Sequence, residues 1–492
     1  MRKAWLAWAA LAGLAGCSPA PMDVVGDVAR TIGAADLRTI QYSGSGTIYV
    51  LGQSPSPDAP WPRFNLPNYT AVIDYEQSAM KEDYARTQYA DPPHGGGNQP
   101  IFGERRSINF VNGNRAWNEN ADGSLSPAPV TVGDRQAQIW LTPHGWVKAA
   151  QGENPSMETR SEGGKQLTAV SFTVHGIYKV TGYVNEQSLL ERVETVLPNP
   201  AFGDMPVEVT YSDYQDLGGI RFPTRIQQKA GGYPTLDLTV SGVEPNASPN
   251  VIGDLAVPES IEQAPTGVRV DSERVADGVW FLAGGSHNSV AIEFSDFVTV
   301  IEAPLNEERS LAVIDEVKRL IPGKTIRYLV NTHHHVDHSG GLRTYVAEGA
   351  TIVTHQMNRP FYEQMFREPR VVNADKLSQN PREAMFETLT DRHTLADGAR
   401  TLELYHIQGN GHNDGILMAY LPRERLLIEA DVFTPLPADA PPPANASVYT
   451  QNLDENIRRL RLNVDRILPI HGRIVGMAEL QKALGKALGQ TG

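Results

Sequence analysis

Four of the chain's thirteen histidines fall within six consecutive positions, in Thr332-His333-His334-His335-Val336-Asp337-His338. Imidazole nitrogens suit zinc and related first-row cations, and a carboxylate beside them adds a hard, anionic ligand. The segment follows the apolar Tyr328-Leu329-Val330 and precedes Ser339-Gly340-Gly341, so it reads as a loop at a strand's C-terminal end. Ligand-capable side chains at this density serve no packing purpose, and burying them without a cation is costly. The pattern H-x-H-x-D-H therefore points to a metal centre that uses His333, His335, Asp337 and His338. His334 lies between ligands, and its side chain is expected to face the other way.

The elements that must position this loop alternate. Val279 to Ala283, Ser289 to Phe294 and Phe297 to Ile301 read as strands. A helical stretch from Glu307 to Leu320 stops at Pro322-Gly323, and Ile326 to Val330 is a buried strand. Such alternation indicates layered α/β architecture. Upstream, from Ile40 to Val243, the grammar is strand after strand, as in Ser45 to Val50, Ser107 to Val111 and Leu236 to Val240. Asn112-Gly113 between two such runs is a hairpin signal. One short helix is expected there, from Asp134 to Leu141, stopped by Pro143. The boundaries that follow are a leader over 1–16, a β-rich domain over 36–245, a Pro-, Asn-, Ser- and Gly-rich linker over 246–266, and a second domain over 267–490.

The loop and its strand setting resemble the signature of the metallo-β-lactamase-fold hydrolases. That resemblance implies an αββα sandwich with its site at the open edge between two sheets, and further ligands downstream. Gly411-His412 follows the run Leu402 to His406, Asp431 ends Leu426 to Ala430, and His471 stands in Leu468-Pro469-Ile470-His471-Gly472. By resemblance, His333, His335 and His412 hold one Zn²⁺, Asp337, His338 and His471 hold a second, and Asp431 bridges. It further implies that a metal-bound hydroxide attacks a carbonyl carbon, with Asp337 as the catalytic group that orients the nucleophile or shuttles the proton. The substrate is then a small-molecule ester, thioester, lactone or amide. Asp431 separates this chain from the zinc β-lactamases, which usually carry Cys or Ser there, although lactam hydrolysis stays open. Asn413 replaces a frequent Thr. The roughly twenty residues after His471 end in one amphipathic helix, Met477 to Leu488, too little for the helical extension of glyoxalase-II-type members.

Composition narrows the setting. At 492 residues, 40% hydrophobic and 20% charged, the chain is globular and long enough for two or three domains. A net charge of −14 opposes a nucleic-acid partner. The single Cys excludes an internal disulfide and a cysteine-built zinc cage. That Cys closes Leu14-Ala15-Gly16-Cys17, after Arg2-Lys3 and a short apolar run. The arrangement resembles a bacterial lipobox, and implies a lipid anchor at Cys17 and a place in the cell envelope, at the outer membrane facing the periplasm. Segments such as Thr210 to Tyr214 and Gly218 to Pro223 resemble the half-barrels of lipoprotein-carrier and sorting-like domains, which implies a concave apolar face for an acyl chain or for capping the other domain.

Two other readings compete with a dinuclear hydrolase: an envelope lipid- or ligand-binding lipoprotein with a structural metal domain, and an iron-dependent oxygenase of the same fold. The full ligand set opposes both. Of the remaining histidines, His287 is expected to make a turn hydrogen bond at the pocket's edge. His355, His393 and His406 read as fold residues, and His94 and His144 as loop residues. Pro435 to Ala444, which begins just beyond Asp431, reads either as a stiff surface loop or as one that overhangs the cleft.

Overall fold

The computed structural model describes residues 20–248, 253 and 255–485. The expected leader and Cys17 lie outside them, as does the end of the expected C-terminal helix, which runs from Met477 to Ala483.

Alternating burial builds the N-terminal domain. Strands such as Val193 to Leu197 and Met205 to Tyr211 bury every second residue, the period that turns one face of a sheet to a core. Thirteen strands form one antiparallel sheet, in which the first strand, Thr39–Tyr49, lies between the second, Arg63–Asp74, and the last, Tyr233–Pro245. Three helices cover its apolar face. Pro21–Ile32 buries Val24, Val25, Val28 and Ile32 at helical spacing and stops at left-handed Gly33. Val132–Trp140 corresponds to the expected short helix. Pro143 does more than end it, because it is the first residue of a further helix, Pro143–Gln151, capped by Thr142. Proline suits that position, where no N–H partner is needed. Trp146 of this helix is fully buried against Gly182, where a Cβ would lie 2.3 Å from the indole. His144, expected in a loop, is buried inside the same helix with Nε2 on the Ile32 carbonyl. After the sheet the chain packs back on it, with Leu255 against Val72 and Ala79, and Ile261 against Phe110 and Trp117.

The C-terminal domain is an αββα sandwich. Its seven-stranded sheet runs from the antiparallel strands Asp271–Ala276, Val279–Ala283, Ser289–Glu293 and Phe297–Ile301 into the parallel strands Thr325–Val330, Thr351–His355 and Met385–Leu389. A six-stranded sheet from Arg392 to Gly476 faces it, and Phe281, Ile292, Val330, Leu404, Leu417 and Ile428 join the two across one apolar core. Helices Glu307–Leu320, Leu342–Glu348 and Arg359–Arg367 cover the outer face of the first sheet. Val448–Arg459 and Met477–Ala483 cover that of the second. Glu307–Leu320 begins at Asn306, whose side chain accepts from the Arg309 N–H, with acidic residues in its first turn and basic ones in its last.

Candidate metal centre

The parallel strands Phe297–Ile301 and Thr325–Val330 are neighbours, so their C-terminal ends release the chain at the same edge. From one comes Glu302, left-handed at φ 71°, and from the other the loop Asn331 to His335. Glu302 accepts from the Thr332 N–H at 2.6 Å and from His338 Nδ1 at 2.8 Å, which fixes loop and imidazole together. Asn331 donates to the His338 carbonyl at 2.9 Å, so the turn is closed on itself. From the facing sheet, Leu426–Glu429 delivers Asp431, left-handed at φ 66°, and Arg466–Pro469 delivers His471. His412 is set by the Asn410 side chain, which accepts from its N–H at 2.9 Å.

The seven residues expected as ligands meet at this edge. Asp431 Oδ2 lies 3.0 Å from His412 Nε2 and 3.6 Å from His333 Nε2. Its Oδ1 lies 2.7 Å from His471 Nε2 and 3.0 Å from His338 Nε2. Nitrogens face nitrogens: His333 and His412 at 3.4 Å, His338 and His471 at 3.3 Å. His335 brings Nδ1 to the first group, so that His333, His335, His412 and Asp431 offer ligand atoms all within 4.8 Å of one another. Asp337 stands beside the second group, with Oδ2 4.0 Å from His338 Nε2. The second group also contains His287. The expected turn hydrogen bond is present, from Ser286 at 2.8 Å, but the other nitrogen turns into the site, 3.5 Å from Asp337 Oδ2.

The donor set fits cations. His335 Nδ1 and His287 Nε2 are buried without a hydrogen-bond partner, and each points among other ligand atoms. Four far nitrogens, by contrast, are engaged: His333 Nδ1 by Thr332 at 2.9 Å, His335 Nε2 by the Ser54 carbonyl at 2.8 Å, His338 Nδ1 by Glu302, and His471 Nδ1 by the Ser286 carbonyl at 2.9 Å. Such partners fix the tautomer and aim of a ligating imidazole. Burial lowers His333 to about 3 and His287 to about 4, and puts His335 well below the usual imidazole range, so these rings are neutral with a free lone pair. Around the bridge the balance reverses. Burial opposes charge on His338 and His471, yet Asp431 holds His338 well above the usual imidazole range and raises His471. The half-buried Asp337 and the more deeply buried Asp431 both stay ionised against the cost of desolvation, because His338 lies beside both. The edge thus sets two ionised carboxylates among imidazole nitrogens, where a cation could take the place of the protons.

Several neighbours escape a reading of the sequence. Glu302 ends the apolar run Phe297 to Ile301, and a lone carboxylate in that place, one strand from the histidine loop, is the available signal. Glu429 is fully buried two residues before Asp431, and burial and that neighbour push its carboxyl well up. His334 faces away as expected, between Ser54 Oγ at 3.1 Å and the Asn413 side chain at 3.0 Å. His355 and His406 each hold a backbone carbonyl, and His393 pairs with Glu387. The base of the loop Pro435 to Ala444 lies beside Gly472, next to His471.

Residues 282–471 match the model of the Metallo-beta-lactamase superfamily, and the C-terminal domain belongs to that superfamily. Solved structures to which the chain is similar include a metallo-beta-lactamase from Pontibacter korlensis, at 16% identity over 44% of this chain and 98% of that one, with a TM-score of 0.35. Another, from Hirschia baltica, has 16% identity over 44% and 96%, with a TM-score of 0.34. The FIM-1 enzyme of Pseudomonas aeruginosa in its mono-zinc form has 19% identity over 45% and 96%, with a TM-score of 0.34. Comparison with curated proteins gives no match. Superfamily membership and the histidine–aspartate cluster together support a metal-dependent hydrolase.

Proposed function

We propose that the chain is a dinuclear zinc hydrolase of a small-molecule carbonyl substrate: an ester, thioester, lactone or amide. One observation carries the reading. Asp431 turns one oxygen to each of two histidine groups, at 3.0 and 3.6 Å on one side and 2.7 and 3.0 Å on the other. A carboxylate so placed would serve two cation sites at once, and the nitrogen-rich donors favour zinc. His333, His335 and His412 would hold one ion, and His338 and His471, with Asp337, the other. When bound, the pair supplies a water ionised near neutral pH and an electrophile for the carbonyl oxygen.

The residues do the remainder. Asp337 is the one carboxylate of the set with substantial exposure, its side chain 33% accessible, against 10% for Asp431. It holds its charge, and Oδ2 faces the site while Oδ1 is engaged elsewhere. That oxygen is suited to accept a proton from water and return it to the leaving group. The same proposal places the enzyme on a lipid at Cys17 in the bacterial envelope, at the outer membrane facing the periplasm. Acyl labelling of the full chain that is lost in Cys17→Ser supports the anchor, and labelling retained there overturns it.

Metal analysis tests the chemistry. The purified chain is expected to hold two zinc equivalents and to hydrolyse members of an ester, thioester, lactone and lactam panel. Asp431→Ala is expected to abolish turnover and to lower zinc content. A single iron with oxygen consumption, or turnover intact in Asp431→Ala, overturns the reading.

A further inference from the structure

The metal loop is not bare on its outer side. The N-terminal loop 50–62, between strands Thr39–Tyr49 and Arg63–Asp74, lies against it, and so does the loop 89–103. Gln53 donates from Nε2 to Asp337 Oδ1 at 2.6 Å, while its Oε1 accepts from the Gly97 N–H at 3.1 Å. A backbone N–H can only donate, so the Gly97 contact fixes which end of the amide meets Asp337. The Ser54 carbonyl can only accept. His335 must therefore carry its proton on Nε2, which leaves Nδ1, the buried and unpartnered nitrogen, as the ligand atom.

The approach is close enough to need glycine twice. A Cβ on Gly96 would lie 2.0 Å from Gln53 Oε1 and 2.8 Å from His335 Cε1. A Cβ on Gly52, left-handed at φ 68°, would lie 2.2 Å from Val336 Cγ1. Further bonds lock the contact from both sides: Gly95 N–H to the Gly411 carbonyl at 2.8 Å, Tyr449 Oη to the Gly95 carbonyl at 3.0 Å, and Asp414 N–H to the Pro55 carbonyl at 2.8 Å. Gln53 and Ser54 are both buried. The superfamily match starts at residue 282, far beyond either of them.

We infer that the N-terminal domain completes the metal centre, with Gln53 and the Ser54 carbonyl as positioning groups that aim Asp337 and His335 from across the domain boundary. The inference rests on the two-metal reading. Gln53 occupies Oδ1 of Asp337 and leaves Oδ2 for the second group, and Ser54 selects the tautomer of His335 for the first. Each ligand group thus has one member held by the other domain.

Zinc affinity of the full chain, measured against a chromophoric chelator, and the visible spectrum of the cobalt-loaded chain test this without recourse to turnover. Gln53→Met keeps length and removes the donor. It is expected to weaken one of two zinc equivalents by about 10–100-fold, the usual cost of losing an outer partner, and to change the cobalt spectrum. Gly96→Ala, which displaces Gln53 and crowds His335, is expected to weaken both equivalents. Wild-type affinities and spectra in both variants overturn the inference while leaving two-metal chemistry intact. If Gln53→Met does not fold, Gly96→Ala decides alone. A wild-type chain that takes up no zinc overturns both readings together.

Discussion

The two domains use similar materials, sheets with helices on their apolar faces, and bury polar groups in opposite ways. In the N-terminal domain Trp146, Phe222, Val193 and Leu238 fill a core in which His144 is the fully buried charged-type side chain. In the C-terminal domain Glu302, Asn331, His333, His335, His338 and Glu429 are all wholly inaccessible, and all stand at one edge of the sandwich. The first domain draws its stability from apolar area, worth roughly 1.5–3 kcal/mol for each large side chain fully buried. The second sets a costly polar cluster at its edge and offsets it with the dry core between its sheets. The N-terminal domain's buried amides, Gln53 and Gln99, are found where it meets that cluster. One domain is a stable frame with a polar tip, and the other a polar edge with a stable frame.

Three experiments break or sharpen this contrast. Phe222→Ala removes a ring that packs on Tyr42 and His144, and is expected to cost about 3–5 kcal/mol in denaturant unfolding of the N-terminal domain. Zinc affinity should fall once that domain is unfolded, and a full-affinity site beside an unfolded sheet would break the division of labour. His144 supplies the next largest effect. Burial lowers it to about 4 from an ordinary value near 6.5, so the unfolded chain binds the extra proton between those values. Its contribution is complete above pH 6.5 and disappears as pH falls towards 4, by about 3 kcal/mol over the window. Melting temperature against pH should therefore fall less steeply in His144→Gln than in the wild type. Equal slopes would remove His144 from the account. Glu302→Gln is the gentlest. Thr332 and His338 donate to different oxygens of the carboxylate, and the amide replaces one of these with an NH2 donor. Metal affinity should therefore drop about 10–100-fold, measured by chelator competition, while the N-terminal domain melts as before. A shift in that melting would show the two regions to be less separate than their cores.

The ligand set is legible in the sequence because chemistry concentrates it. H-x-H-x-D-H behind an apolar strand suits little besides a cation, and the matching His412, Asp431 and His471 each end or follow a strand of the facing sheet. The strands themselves are legible from alternation and from apolar runs. What stays hidden depends on neighbours in space. Glu302 acquires its role from the parallel pairing of two strands, which no local pattern encodes. His287 makes its expected turn hydrogen bond, but a side chain with two nitrogens can serve two partners, and only the fold shows where the second points. Pro143 reads as an ending because proline stops helices, yet its missing N–H equally suits a beginning. Gln53 and Ser54 sit in a Pro- and Ser-rich loop whose composition advertises only a turn.

The order of strands in the N-terminal sheet has a consequence for how the molecule is made. The first strand finds its second neighbour only in the last, with Ser43 and Ser241 joined across a separation of 198 positions. Growing from the ribosome, the chain carries one hydrogen-bonding flank of that opening strand unsatisfied until nearly the whole sheet has been synthesised. Closure of this kind is slow, because distant segments must meet before any contact rewards them. Until they do, the open flank is a template for foreign strands. Maturation of the N-terminal frame, and not of the C-terminal sandwich, is then the step at which loss of nascent molecules to aggregation is expected.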